Sequence, residues 1–316
     1  MAILVGTASW TDKSLIDCAR FYPPGCRSAE ARLRYYASRF PMVEVDSSYY
    51  AVPAPQVTQL WTERTPPGFV FNIKAFRAFT GHQTGVKFLH KDLQQALAPL
   101  RKTTLYYRDF PTEILDELWR RFIEALGPLR EAGRLVAVHF QFAPWMLRNR
   151  EGIDHLRECA RRMAGHQLSV EFRNATWFHG SHAEDTLRLQ SELGAAHTVV
   201  DGPQGFHNSV PALWEATVPH LAVVRLHGRN DATWNAKGLT AASDRFNYDY
   251  PYAELESLAD QIRQLARRAS LVQVIFNNNN EDQGQRNATT LMALLGLPQP
   301  GAADEFSLSS QDGRAK

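Results

Sequence analysis

The sequence predicts an α/β protein built as a single (β/α)8 barrel of the TIM type, with a long insertion between the third and fourth strands. Eight short segments rich in β-branched and aromatic residues recur along the chain, and segments with helical spacing of apolar residues separate them. The length of 316 residues is ordinary for one such barrel with insertions. Hydrophobic residues make up 44% of the chain, which is enough material for one large core.

The predicted strands are short, mostly apolar runs bounded by polar or turn-forming residues. Such runs are typical of the strands of a parallel sheet, which are buried on both faces. Their number matches the eight strands of the barrel. The strands are predicted over Ile3–Gly6, Met42–Val45, Phe69–Ile73, Leu135–Phe140, Leu168–Phe172, His197–Val200, Leu221–Leu226 and Leu271–Phe276.

Amphipathic segments with apolar residues three and four apart connect these strands and are predicted to be helices. They span Ala29–Arg39, Gln56–Arg64, Thr112–Ala125, Asp154–Ala164, Ala183–Leu193, Tyr252–Arg268 and Gln285–Leu295. The connection over about 75–134 is unusually long, is expected to carry a further helix around Lys91–Leu100, and could cover the barrel as a lid. The barrel domain is therefore assigned to 1–297, and the tail 298–316, rich in Pro, Gly, Ser and charge, is expected to be disordered.

The charge balance and the amino terminus indicate which partners and which location to expect. The chain has 35 basic and 33 acidic residues, so its net charge of +2 gives no support to nucleic-acid or anionic-lipid binding. The start, MAILVGTASW, reads as a strand without the features of a signal peptide, and no apolar run has the roughly 18 residues of a membrane helix. Cys18, Cys26 and Cys159 lack close pairing, as expected of reduced thiols. We therefore expect a soluble, cytoplasmic protein, and the sequence leaves its oligomeric state open.

Polar and charged residues gather at the carboxyl ends of the predicted strands, where barrel enzymes carry their active sites. Residues two apart on a strand share a face, so Glu44 and Asp46, for example, would both point into the barrel if that face is the inner one. The residues expected to bind substrate are Trp10, Asp46, Tyr49, Asn72, Lys74, Gln141, Arg173, Asp201, Arg225, Arg229, Asn277 and Asn278. The alternative is an internal salt-bridge network that closes the top of the barrel.

Eight motifs along these strands and the loops after them carry a resemblance to a known family. They are Gly6-Thr7-Ala8-Ser9-Trp10, Phe21-Tyr22-Pro23, Val43-Glu44-Val45-Asp46-Ser47-Ser48-Tyr49-Tyr50, Phe71-Asn72-Ile73-Lys74 with His82, Phe140-Gln141-Phe142-Ala143-Pro144, Val170-Glu171-Phe172-Arg173, Arg225-Leu226-His227-Gly228-Arg229, and Phe276-Asn277-Asn278 with Asn287-Ala288. In this order they resemble the YecE-like proteins, domain of unknown function 72. The resemblance implies a TIM-type barrel and no established activity. This chain departs from the family pattern at Ser9, where the family usually has Gly, at Asp46, where it usually has Asn, and after the last strand.

The leading functional hypothesis is an enzyme that applies acid/base chemistry to a small polar, anionic or sugar-like substrate. Glu44, Glu171 and His227 are the candidates for proton transfer, because groups placed in one cavity with cations nearby can be driven to different protonation states. The cations of the pocket can supply donors to a phosphate or carboxylate, with arginine forks suited to bidentate contacts. These cations are Lys74, Arg173, Arg225 and Arg229.

Two further classes stay open. The pocket could serve a non-catalytic binding protein for a nucleotide, a nucleic-acid end or a metabolite. A metal-dependent isomerase or nuclease would place a divalent ion on Glu44, Glu171, Asp201 and His227, but no spacing motif enforces that set and the nearby cations compete for its carboxylates. We therefore predict no metal and no cofactor. The sequence contains no GxGxxG, Walker or GxSxG motif, and carboxylates on strands two and five do not match the usual positions in barrel glycosidases.

Overall fold

Eight parallel strands close into a barrel in the computed structural model, which describes residues 1–206, 208–236 and 242–298. Each strand pairs in parallel with the next along the chain, and the last pairs with the first. The predicted fold class is confirmed. The barrel strands are β1 (Ala2–Ala8), β2 (Met42–Val45), β3 (Val70–Lys74), β4 (Leu135–Gln141), β5 (Leu168–Glu171), β6 (Ala196–Asp201), β7 (Ala222–Leu226) and β8 (Leu271–Phe276).

Helices cover the outside of the barrel, and most follow the predicted segments within a few residues. They are α1 (Lys13–Asp17), α2 (Ala29–Ala37), α3 (Ser47–Tyr50), α4 (Pro55–Glu63), α5 (Lys91–Leu97), α6 (Thr112–Glu131), α7 (Arg150–Arg162), α8 (His182–Glu192), α9 (Asp231–Trp234), α10 (Tyr252–Leu265) and α11 (Gln283–Leu294). Short 3₁₀ helices add Val86–Phe88, Ala98–Leu100, Tyr107–Asp109, Ala175–Trp177 and Ala242–Phe246. The predicted tail, 298–316, lies outside the described residues apart from Pro298. Within the described ranges no helix has the length and apolar character needed to cross a membrane.

Helix α6 extends beyond its predicted end at Ala125, past Gly127 and Pro128. The helix continues to Glu131 with Pro128 inside it. Proline costs one backbone hydrogen bond there. Leu126 and Leu129 are fully buried on either side of Pro128, and their packing against the barrel keeps the last turn helical.

The register of the barrel strands determines which side chains share the inner face. Glu44 stands beside Ala8 on one neighbouring strand and Asn72 on the other, and Arg225 stands beside Ile275. Small and apolar residues fill the interior below the polar layer as a separate cluster that includes Ala8, Met42, Ala137, Ala196, Val223 and Ile275. Gly6 allows the closest approach, because a Cβ there would lie 2.3 Å from the carbonyl oxygen of Met42.

The long connection between β3 and β4 packs mainly beside the barrel. It contains an antiparallel pair of short strands, Thr84–Gly85 with Thr104–Leu105, followed by α6. The ring of Phe79 stacks on Trp119 of α6 at 3.6 Å between centroids. The indole N–H of Trp145, from the loop after β4, donates to the carbonyl oxygen of Gly81 at 3.0 Å. The first residues of the connection are thereby fixed next to the carboxyl ends of the strands.

Candidate functional site

A buried arginine on β7 organises the centre of the barrel. Arg225 is fully buried, and its Nη2 donates to Oε1 of Glu44 on β2 at 2.6 Å. Its Nη1 donates to Oε2 of Glu171 on β5, also at 2.6 Å. These contacts cross the barrel interior, so the three side chains form a charged layer above the apolar interior. Both carboxylates raise the pKa of Arg225, against the lowering effect of its burial.

Glu171 is surrounded by hydrogen-bond donors. Besides Arg225, its carboxylate accepts from Nη1 of Arg173 at 3.2 Å, and Nε2 of His227 lies 3.2 Å away. Nε2 of His139 on β4 lies 3.5 Å from the other oxygen. Burial would raise the pKa of Glu171, but Arg225, His227 and His139 outweigh it and hold that pKa well below the usual value. Glu171 is therefore an ionised anchor for its neighbours at neutral pH.

His227 is buried and neutral. The amide nitrogen of Asn277 donates to its Nδ1 at 2.8 Å, which leaves the ring proton on Nε2, directed at Glu171. Burial lowers the pKa of His227 to about 3, although the charge of Glu171 opposes this. The imidazole therefore serves as a fixed donor to Glu171 over the ordinary range of pH.

Glu44 differs from Glu171 in having one carboxylate oxygen without a partner. Its Oε1 accepts from Arg225, whereas its Oε2 is buried and forms no hydrogen bond with any residue that the structure describes. Native proteins pair the large majority of buried polar atoms, so an exception inside a charged cluster requires a ligand, a water or a catalytic role. The free oxygen distinguishes Glu44 from Glu171 and makes it a candidate for direct contact with a ligand.

The mouth of the barrel carries a second, more accessible set of the predicted residues. Nζ of Lys74 lies 3.3 Å from Oδ1 of Asp46 and 5.2 Å from the ring centroid of Tyr49. Both charged side chains of this pair are partly exposed. Gln141 is half-buried on β4, next to Glu171 in the strand register. These residues lie where a substrate would enter from solvent.

Asp201, which the sequence predicts to bind substrate, lies apart from this cluster. In the strand register it stands beside Leu226, on the face of β6 and β7 opposite to that of Arg225. Its carboxylate accepts from Arg229 at 2.7 Å and from the hydroxyl of Tyr250 at 2.6 Å. The pair of Asp201 and Arg229 is thus a separate structural contact outside the interior.

The same geometry disfavours the metal-dependent alternative, because that alternative needs Asp201 beside Glu44, Glu171 and His227. Asp201 lies on the other face, and Arg225 occupies the space between the two glutamates. Over residues 1–206, 208–236 and 242–298, no group of three or more His, Cys, Asp or Glu side chains is arranged to hold a metal ion.

Three further predicted residues have other surroundings. Trp10 packs edge-on against Trp61 in the core between barrel and helices. Asn72 donates across the interior to Gln273 at 2.8 Å. Asn278 donates to the carbonyl oxygen of Tyr248 and to Asn287, and so holds the loop after β8 against α11.

Four residues at the site were not selected from the sequence. His139 contacts Glu171, and the ring of Trp234 lies 4.7 Å beneath the guanidinium of Arg173. Arg77 and His82 come from the start of the long connection, and both contact the ring of Tyr49. His139 could have been found from its alternation with Gln141 on β4, and His82 from its place in the family motif.

A separate cavity of about 540 Å³ lies to the side of this mouth. Its walls include Tyr106 and Tyr107 of the long connection, Trp145, and the start of α7. Trp145 contacts His82 edge-on at 5.5 Å between ring centroids, so the cavity adjoins the residues at the mouth without containing them.

The closed parallel barrel and the charged cluster at its carboxyl end define a TIM-type barrel protein with a polar mouth. The family described as protein of unknown function DUF72 matches residues 4–310, and the chain belongs to that family. This agrees with the resemblance carried by the sequence motifs.

Relatives cover nearly the full length of the chain. UPF0759 protein YunF of Bacillus subtilis (strain 168) is 31% identical over 303 residues, which are 95% of this chain and 97% of that protein. A crystal structure of a DUF72 family protein from Enterococcus faecalis V583 is 26% identical with a TM-score of 0.77, covering 94% of this chain and 96% of the other. A DUF72 family protein from Thermotoga maritima MSB8 is 25% identical with a TM-score of 0.72, covering 94% and 100%.

Proposed function

We propose that this protein is an enzyme that transfers protons to or from a small polar substrate at the barrel mouth, with Glu44 as the proton-transfer group. The observation that carries the proposal is the buried, unpartnered Oε2 of Glu44, whose other oxygen is fixed by Arg225 at 2.6 Å. A positioned carboxylate with one free oxygen is suited to general acid/base catalysis.

The shared arginine makes a change of charge on Glu44 tolerable. When Glu44 takes up a proton, Arg225 keeps its ion pair with Glu171 and is not left as an unpaired buried charge. Glu171 in turn keeps the contact with His227. Of the three residues predicted for proton transfer, Glu44 therefore acts directly in this proposal, while Glu171 and His227 position it through Arg225.

The substrate would meet both donors and acceptors at the mouth. Donors come from Lys74 and Arg173 and an acceptor comes from Asp46, while the fully buried Oε2 of Glu44 is a further acceptor for a group that reaches into the barrel. Such a mixture matches a small molecule with hydroxyl and anionic groups better than an apolar one. The cytoplasmic location expected from the sequence stays a prediction.

Native mass spectrometry and turnover together test this proposal. Wild-type protein, Glu44→Gln and a control, Glu256→Gln on the exposed face of α10, are purified in parallel and their bound small molecules identified. We expect Glu44→Gln to retain a polar molecule that wild type and Glu256→Gln convert. A molecule that stays bound to wild type without conversion would instead identify a binding protein. Equal turnover by Glu44→Gln and wild type would rule out Glu44 as the proton-transfer group.

A further inference from the structure

Two cations lie against one aromatic ring at the barrel mouth. Nζ of Lys74 is 5.2 Å from the ring centroid of Tyr49, and the guanidinium carbon of Arg77 is 5.3 Å from the same centroid. The ring of His82 contacts Tyr49 edge-on at 5.3 Å. Tyr49 follows β2, which carries Glu44, so both cations are on the side of the mouth where the proposed proton-transfer group lies.

A third cation, Arg173, lies across the neighbouring strands. Lys74 stands beside His139 in the register of β3 and β4, and His139 lies 3.5 Å from Glu171, which binds Arg173. This short chain of contacts brings Arg173 to the same end of the barrel as Lys74. Arg173 is 7% exposed and its guanidinium stacks on Trp234.

These cations have donors that the protein does not use. Within the described ranges, the ammonium group of Lys74 has an ion pair with Asp46 but no hydrogen bond, and Arg77 has no ion pair. The Nε atoms of Arg77 and Arg173 are both buried and have no hydrogen-bond partner in the described part of the chain. Unpaired guanidinium donors in a partly buried position are costly unless a ligand completes them.

We propose that Lys74, Arg77 and Arg173 form an oxyanion-binding subsite, and that the substrate carries a phosphate or carboxylate group that binds there. The inference rests on the proposed function and names the substrate class of that site. Arginine forks suit bidentate contacts to either kind of oxyanion. Bound in this way, the anionic group would anchor the substrate while its reacting part extends toward Glu44.

The electrostatics of two neighbouring groups support this subsite. Burial and, in decreasing order, the charges of Lys74, Arg77 and Arg173 together lower the pKa of His82 to about 3. Burial also lowers the pKa of Arg173, with Arg225 and Arg245 acting in the same direction against Glu171. His82 therefore experiences a surplus of positive charge, which a bound anion would relieve.

The subsite differs in position from the phosphate site common in TIM-type barrels. That site is formed by the loops after the seventh and eighth strands and the start of a short helix. Here both Nη atoms of Arg225 on β7 pair with carboxylates, those of Glu44 and Glu171. Arg229, which follows β7, pairs with Asp201. The unused donors at the mouth belong to Lys74, the last residue of β3, and to Arg77 and Arg173, which follow β3 and β5; the Nε of Arg225 is also unpartnered but belongs to a fully buried side chain. The anion predicted from the sequence on four cations is thus reassigned to Lys74, Arg173 and the added Arg77.

Isothermal titration calorimetry of the whole protein tests the subsite. The protein is titrated with inorganic phosphate and, separately, with acetate in a chloride buffer. We expect binding of at least one of the two, and the tighter one identifies the oxyanion class. Arg77→Gln and Lys74→Gln should each weaken that binding about tenfold or more. Arg77 pairs with no carboxylate among the described residues, so Arg77→Gln leaves no buried charge uncompensated and should fold normally. Arg267→Gln, an exposed position on the outer surface, is the matched control and should bind as wild type does.

The outcomes separate the subsite from the proposed function. Glu44→Gln should still bind the anion, because Glu44 contributes no donor to it. Retained anion binding in a protein that converts no metabolite would leave the subsite standing and refute the enzyme. Absence of binding to wild type, or equal binding by wild type, Arg77→Gln and Lys74→Gln, would overturn the subsite.

Discussion

Replacing Glu171 with Gln removes the charge that holds the interior cluster together. The carboxylate is fully buried and contacts Arg225 at 2.6 Å and Arg173 and His227 at 3.2 Å each. The variant keeps the shape of the side chain but leaves Arg173 without a counter-charge. It also places an amide nitrogen, which is itself a donor, among the donors that surround Glu171. Removing one partner of a buried ion pair costs about 3–5 kcal/mol of the free energy of unfolding. For 316 residues this corresponds to a fall in melting temperature of about 5–8 °C.

Thermal melts of wild type, Glu171→Gln, Glu44→Gln and Glu256→Gln in one buffer measure this effect. Glu44→Gln should cost less than Glu171→Gln, because Arg225 keeps Glu171 and only one oxygen of Glu44 is hydrogen-bonded. Glu256 is exposed, so its variant should melt as wild type does. A melting temperature for Glu171→Gln within about 1 °C of wild type would refute the assignment of Glu171 as an ionised anchor.

Three other predictions concern pH, backbone strain and metal. Burial lowers the pKa of His82 and His227 to about 3 and of His197 to about 4, so below about pH 6.5 the unfolded chain binds more protons than the folded one. As the pH is lowered from 6.5 to 4, the free energy of unfolding should then fall by up to about 4 kcal/mol per pH unit. Denaturant unfolding at pH 7.5, 6 and 5 measures this fall, and a free energy that does not change with pH would contradict the prediction. Ser9 has a φ of 67°, a conformation that costs about 1–2 kcal/mol in a non-glycine residue. Ser9→Gly should therefore stabilise the protein by up to about 1 kcal/mol, once the entropy cost of glycine is subtracted. A clear loss of stability on denaturant unfolding would oppose this prediction. Chelator treatment should leave the melting temperature unchanged, because Arg225 occupies the carboxylates of the interior; stoichiometric divalent ion in elemental analysis of tag-free protein would show otherwise.

The barrel could be predicted because its strands are apolar on both faces and therefore appear as distinct runs in the sequence. Met42–Val45 and Leu271–Phe276 have the predicted bounds, and the other strands shift by one or two residues at one or both ends. The ends depend on hydrogen bonds between strands, which local sequence does not determine. The end of α6 was wrong because packing of Leu126 and Leu129 outweighs the local effect of Pro128.

The site could be predicted only where the alternation along a strand was unambiguous. Glu44 and the pair of Arg225 and His227 lie on the inner face because polar residues there alternate with buried apolar ones. Asp201 is the first charged residue at the end of an apolar run, so the sequence does not show which face it takes; the register with β7 decides this. Arg77 lies in an irregular connection whose path depends on tertiary packing, which periodicity cannot reveal.

Conversion of metabolites by wild-type protein and Glu44→Gln tests most directly whether Glu44 transfers protons on an anionic substrate. Each protein, with Glu256→Gln as control, is incubated with a cellular metabolite extract, and mass spectrometry follows every small molecule over time. We expect wild type and Glu256→Gln to consume one phosphate- or carboxylate-bearing metabolite, and Glu44→Gln, although folded, to consume none. Consumption at the wild-type rate by Glu44→Gln, or exclusive consumption of an uncharged metabolite, would contradict this expectation.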